Sequence, residues 1–303
     1  MGDGLPTVER FTGALLGGAI GDALGRPHEG RHRFSVRLEL PLAYGGHHLG
    51  SITDDTDQTM IVGESLLAVG WLDPEDIARR LVAWLPHGTG KGTATVHAVV
   101  RLQEGVPWYA AGEDSAGNGA AMRAAPIGLW WYDEPTRLKS DAVLLSLPTH
   151  RHPTGVAGAV ALASAVAHLV MTEPDEFTTA SFVEVMADAL EGLEPERVRE
   201  RRDEQSFTTL RERILEMPEL LRLDPDEALL HRIWTGAFVL ESLPAALYCF
   251  LASPNDFRAT LALAITAGHD TDTVGAFAGT MYGALYGVGA LPDDLLEGLA
   301  VRD

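Results

Sequence analysis

Two stretches of the chain place a glycine at every fourth position: Gly13, Gly17, Gly21 and Gly25 near the N-terminus, and Gly275, Gly279, Gly283 and Gly287 near the C-terminus. Residues four apart share one face of an α-helix, and the intervening Ala14, Leu15, Leu16, Ala19, Ile20, Ala23 and Leu24 suit one. Each interior glycine costs a helix about 1 kcal/mol relative to alanine. A whole stripe therefore implies that another backbone must come close, and the two stripes are expected to face each other as crossing helices in the core. Such spacing also marks paired membrane helices. Neither segment has the roughly 20 uninterrupted apolar residues of a span, and Asp22 interrupts the first, so no membrane partner is expected.

The second stripe is preceded by Asp270-Thr271-Asp272-Thr273, and a similar cluster, Thr53-Asp54-Asp55-Thr56, precedes Ile61, Val62, Leu66 and Leu67. A helix N-terminus favours acidic residues and a threonine cap. That preference explains one or two acids but not the echo between sites more than two hundred residues apart. If the clusters meet, they supply four carboxylates and several hydroxyls, an oxygen-only set suited to a pair of hard divalent cations.

Elsewhere the pattern is helical, with segments expected at 6–25, 74–86, 89–104, up to Met171, 235–252 and 256–267. Thr7 is the expected cap of the first. No strand alternation persists, and the fold class is all-α, a single domain over 1–303 with a central set of Gly-rich helices. Loop 25–30 could carry Glu29 over a site, although on residue type Glu29 is equally a solvated acid. Two small-residue loops, one with Gly90 and Gly92 and one with Gly117, Asn118, Gly119 and Met122, would let backbone amides approach a phosphate. Neither has the spacing of a nucleotide-binding loop. His47-His48 reads as surface, and His150 or His152 as a histidine facing the site or a structural one. The charged run Glu194–Glu204 reads as solvated helix with no chemistry.

A formal charge of -20 argues against broad nucleic-acid binding. The lone Cys249 excludes a disulfide framework, and Met1-Gly2-Asp3-Gly4 lacks a secretory pattern, so a cytoplasmic location is expected.

Four blocks in this order, GGAIGDALGRPHE (Gly17–Glu29), Thr53-Asp54-Asp55-Thr56, GNGAAMR (Gly117–Arg123) and Asp270-Thr271-Asp272-Thr273-Val274-Gly275, resemble the ADP-ribosylglycohydrolases, all-helical enzymes with two metal ions. Thr149-His150 is a weaker middle match. The resemblance implies hydrolysis at the anomeric carbon of ADP-ribose, released from a modified protein or small molecule. It implies that Thr53, Asp54, Asp55, Asp270, Asp272 and Thr273 hold two divalent cations, usually Mg2+ and in some members Mn2+. Glu29, Asp54 and Asp55 become the catalytic carboxylates, with Glu29 as the loop glutamate. Gly90, Gly92, Gly117, Asn118, Gly119, Met122 and His150 would line the ADP-ribose channel. The chain departs from the family pattern at Gly30, Lys91 and His269, on the side of acceptor choice and loop closure.

Two other readings compete. His269-Asp270, with His97, His150 and His152, resembles the His-Asp phosphohydrolases, which bind metal mainly through histidine. A family member could also keep the pocket and serve as a binding or structural protein.

Overall fold

The computed structural model describes residues 6–33, 36, 43–44, 50–199 and 207–299. Ten helices of ten or more residues make up its body: α1 (Val8–Gly25), α2 (Asp54–Val69), α3 (Pro74–Trp84), α4 (Thr93–Gln103), α5 (Pro135–Ser146), α6 (Pro153–Met171), α7 (Thr179–Ala189), α8 (Val239–Ala252), α9 (Phe257–Thr266) and α10 (Thr271–Tyr286). Several starts are written locally. Thr7, Thr53, Asp73, Thr178 and Asp256 each accept an amide of the first turn, satisfying donors that the helix itself cannot.

Helices α1 and α10 form the most extensive contact of the fold, and the glycine stripes are its surface. A Cβ placed on Gly17 would lie 2.3 Å from the Gly279 carbonyl oxygen, and one on Gly279 would lie 2.1 Å from that of Gly17. The same reciprocal contact joins Gly21 with Gly275 and Gly13 with Gly283. No side chain fits between these backbones. Gly287 also lies against α1, its carbonyl carbon 2.6 Å from where a Cβ on Gly13 would stand, and it ends α10 with φ of 78°, a backbone conformation that glycine adopts without strain.

Helix α10 also packs on α6, α8 and α9. By length and hydropathy α6 could cross a membrane, but 89% of its apolar window is buried inside the fold, so its apolar character is spent on the protein's own core. The expected helical limits shift inwards by a few residues: 74–86 becomes Pro74–Trp84, 89–104 becomes Thr93–Gln103, and 235–252 begins at Val239.

One segment differs in kind. Glu194–Glu204 was expected to be surface helix, yet its described part, 194–199, ends in strand β1 (Val198–Arg199), paired antiparallel with β2 (Phe207–Thr208). Pro195 removes one amide and restrains the residue before it, and Glu194 is engaged elsewhere. Its carboxylate accepts the Leu210 and Arg211 amides at 3.0 and 3.1 Å, at the start of the short helix Leu210–Leu215. Alternating charge satisfies an exposed strand as readily as an exposed helix face. His47 and His48 lie outside the described residues.

Candidate metal and ligand site

Three helices bring their acids together. The N-termini of α2 and α10 supply the two Asp/Thr clusters, and the buried Asp22 comes from the last turn of α1. Asp22 accepts the Thr53 amide at 2.9 Å and the Thr56 hydroxyl at 2.6 Å, so it locks the first turn of α2 onto the glycine-packed pair. The Thr53 and Thr273 hydroxyls each donate to Asp55 Oδ2 at 3.2 Å, joining residues 218 apart in sequence. Ligand oxygens of Asp22, Asp55 and Asp272 lie within 4.8 Å of one another, as do those of Glu29, Asp270 and Asp272. Asp272 belongs to both groups.

This convergence is electrostatically costly. Burial, then the negative charge of Asp22, pushes the Asp54 carboxyl up to about 8. Burial raises Asp270 to about 6 against the pull of its Asn118 hydrogen bond. Asp55 and Asp272 are raised well above the carboxylate range, first by burial and then by Asp272 and Asp270 respectively. Asp55 Oδ1 is buried with no hydrogen-bond partner. An orphaned carboxylate oxygen among like charges is what a hard cation would satisfy. The residues present therefore fit oxygen-coordinated divalent metal. Among the described residues, the groups able to hold an ion contain carboxylates only.

The histidines do not join them. His97 lies beside Glu113, His152 accepts the Thr154 amide at the start of α6, and His150 contacts Thr149 at 2.8 Å. The His-Asp arrangement is not formed, because these side chains serve local helix and loop contacts. His269 has φ of 60°, strained for a residue with a side chain. Its amide donates to the Arg31 carbonyl and its own carbonyl accepts the Gly30 amide, both at 2.7 Å. This two-way clasp ties the exposed Glu29 loop to the turn that presents Asp270.

The acids close one end of a cleft of about 520 Å³, within the range of small-molecule sites. Glu29, Asp54, Asp55, Asp270, Asp272 and Thr273 all line it; the buried Thr53 does not, and reaches the acids through its hydroxyl on Asp55. Gly90, Gly92, Gly117, Asn118, Gly119, Met122 and His150 line the remaining wall. Gly90 has φ of 77°, and a Cβ there would come 2.8 Å from Asp54 Oδ1, so both its conformation and its space require glycine. Gly92 precedes α4, whose first turn has no side-chain cap; its amide donates to Asp54, and Thr93, Ala94 and Thr95 of that turn line the cleft. Asn118 is tied down: Nδ2 donates to Asp270 Oδ2 at 2.5 Å and to Ser242 at 3.1 Å. Burial and the adjacent Arg123 hold His150 down to about 3, hence neutral. Its ring packs under Gly119, where a Cβ would be 2.7 Å from it. The fully buried Arg123, bonded to Gln58 and Thr149, sets a positive charge beneath Asp54.

The sequence reading assigned no site role to Asp22, Arg199 or Phe238, and took Asp22 only as an interruption of an apolar run. An acid between Gly21 and Gly25, in the last turn of a glycine-striped buried helix, was the available signal. Arg199 and Phe238 carried none, since both reach the cleft through tertiary packing.

Comparison with known proteins agrees with this architecture. The sequence profile described as ADP-ribosylglycohydrolase matches residues 4–303. The chain is 28% identical to the ADP-ribosyl-[dinitrogen reductase] glycohydrolase of Rhodospirillum rubrum, over 98% of this chain and 92% of that protein. It is 31% identical to ADP-ribosylhydrolase ARH3 of Gallus gallus, over 95% and 88%. A solved structure titled ADP-ribosylglycohydrolase-related protein complex superposes with a TM-score of 0.72 at 29% identity, covering 96% of this chain and 92% of that one. With a matching profile along its length and the same helical fold around a carboxylate-lined cleft, the chain belongs to the ADP-ribosylglycohydrolase family of glycosidic-bond hydrolases.

Proposed function

We propose that this protein hydrolyses the bond between the anomeric carbon of ADP-ribose and an acceptor, with a pair of divalent cations, Mg2+ or Mn2+, bound at the acid end of the cleft. The observation that carries this reading is the pair of carboxylate groups sharing Asp272, with the unsatisfied Asp55 Oδ1 between the helix termini. Asp22, Asp55 and Asp272 would hold one cation and Glu29, Asp270 and Asp272 the other, with Asp54, Thr53 and Thr273 completing the oxygen set. Such ions, when bound, supply positive charge to orient the sugar hydroxyls and to make water more acidic.

The protein's own groups do the rest. Glycoside cleavage builds oxocarbenium character on the ribose, and the concentration of carboxylates at that end provides the negative field that favours it. Glu29 is the most exposed of the acids and sits on a tethered loop, so it is placed to take a proton from the attacking water. The cleft wall from Gly90 to Thr95 and from Ser115 to Gly119 offers small residues and backbone amides for a nucleotide.

The test is a panel of ADP-ribosylated arginine and serine peptides and ADP-ribosylated nucleic acid, assayed with Mg2+, with Mn2+ and with excess chelator. Release of ADP-ribose that requires metal and is lost in Asp272→Ala supports the reading. Tight ADP-ribose binding with no turnover of any member would instead assign the protein a binding role.

A further inference from the structure

The lining of the cleft is electrically lopsided. Five carboxylates, Glu29, Asp54, Asp55, Asp270 and Asp272, stand at one end. Among the described residues lining it, Arg199 is the only arginine or lysine, and His150 is held neutral. Arg199 is exposed and makes no ion pair among the described residues, whereas Arg197, two residues earlier, is paired with Glu212.

Arg199 is carried by β1 and lines the cleft, and the segment before that strand is anchored near the cleft wall. Glu194, just before the strand, caps helix Leu210–Leu215 and lies beside Thr154 at the start of α6. The next residue, Gly155, abuts the cleft wall: a Cβ there would be 2.6 Å from the Ser115 carbonyl oxygen and 3.5 Å from that of Gly117. The same stretch of wall includes Asn118, bonded to Asp270, so the acids and Arg199 line one cleft.

We propose that Arg199 binds the pyrophosphate of the ADP-ribosyl ligand, an assignment that rests on the proposed hydrolase function. A ligand whose ribose enters among five acids must hold its own negative charges away from them. The guanidinium is the one arginine or lysine group on the cleft lining among the described residues, and its planar fork suits phosphate oxygens. In a chain of net charge -20, it also offsets repulsion of an approaching anion.

The experiment compares wild type, Arg199→Gln, Arg199→Lys and Arg197→Gln in calorimetric titration with free ADP-ribose and in turnover of an ADP-ribosylated peptide. For an exposed charged contact, Arg199→Gln should weaken ADP-ribose binding about tenfold and raise KM by the same factor, with kcat changed far less. Arg199→Lys should recover part of the loss, and Arg197→Gln should bind as wild type does. Unchanged ADP-ribose affinity in Arg199→Gln overturns the assignment while leaving the hydrolase reading intact. So does a KM effect on the peptide without an effect on free ADP-ribose, which would turn Arg199 toward the acceptor. Equal weakening in Arg197→Gln would attribute the loss to the hairpin and reject the contact. Failure of wild type both to bind ADP-ribose and to hydrolyse any substrate removes the hydrolase reading itself, and this assignment with it.

Discussion

Replacing Gly279 by alanine adds one methyl group where α10 meets α1. That methyl would sit 2.1 Å from the Gly17 carbonyl oxygen, against 3.4–4 Å for ordinary contact. The obstacle is backbone within a helix and cannot rotate aside, so the helices must part by roughly 1 Å at a surface that is otherwise interlocked. Overpacking of this kind costs about 3 kcal/mol. Alanine recovers about 1 kcal/mol of helix propensity, leaving a net loss near 2 kcal/mol. For a chain of this size that lowers Tm by roughly 3–6 °C. Gly63 is the matched control: it lies inside α2 with nothing within 4 Å of an added Cβ. There the propensity term acts alone, and Gly63→Ala should gain about 1 kcal/mol. The assay is urea unfolding followed by circular dichroism, in chelator and in saturating Mg2+. The same chemical change should move the midpoint in opposite directions at the two sites. A Gly279→Ala protein as stable as wild type would refute the backbone contact and the reason given for the stripe. Because α1 carries Asp22 and α10 carries Asp272, the variant should also bind metal more weakly than its remaining stability accounts for.

Four further outcomes are expected. In chelator, stability should fall as pH rises from about 4 to 8: burial raises Asp270 to about 6 and Asp54 to about 8 in the folded state, against 3.8 when unfolded. Their protonated forms therefore favour folding below about pH 4, and that stability is lost through the folded values; urea midpoints that stay flat would contradict this. Asp22→Asn keeps the side chain's shape but loses acceptor capacity for Thr53 and Thr56, so metal affinity should drop about 10- to 100-fold by calorimetry. Glu29→Gln should lower kcat by about a hundredfold while a cation still binds at Asp22, Asp55 and Asp272. Asp272→Ala, which removes the carboxylate common to both groups, should abolish metal binding and turnover together, and full activity in excess chelator would exclude the metal role altogether.

What the linear sequence determined was what short-range rules encode. Glycines at every fourth position specify a helix face that accepts only another backbone, and Thr53 and Asp270 before apolar runs specify where two helices begin. The four family blocks, read in order, carried the architecture. Asp22 stood out as an acid on a buried glycine-striped helix, but its role was not legible, because it lies in the amide and hydroxyl of an α2 turn more than thirty residues away. Asn118 was read as part of a ligand channel, yet its amide is held by Asp270, a partner that local sequence does not name. The Glu194–Arg199 segment was misread because charge alternation alone does not distinguish strand from helix once Pro195 and the capping demand of Leu210 intervene. Only the tertiary structure decided which carboxylates share a cation site, that an exposed arginine faces the cleft, and that His269 takes a strained turn to hold Glu29 in place. Those outcomes depend on the free energy of packing distant segments together, which no window of neighbouring residues contains.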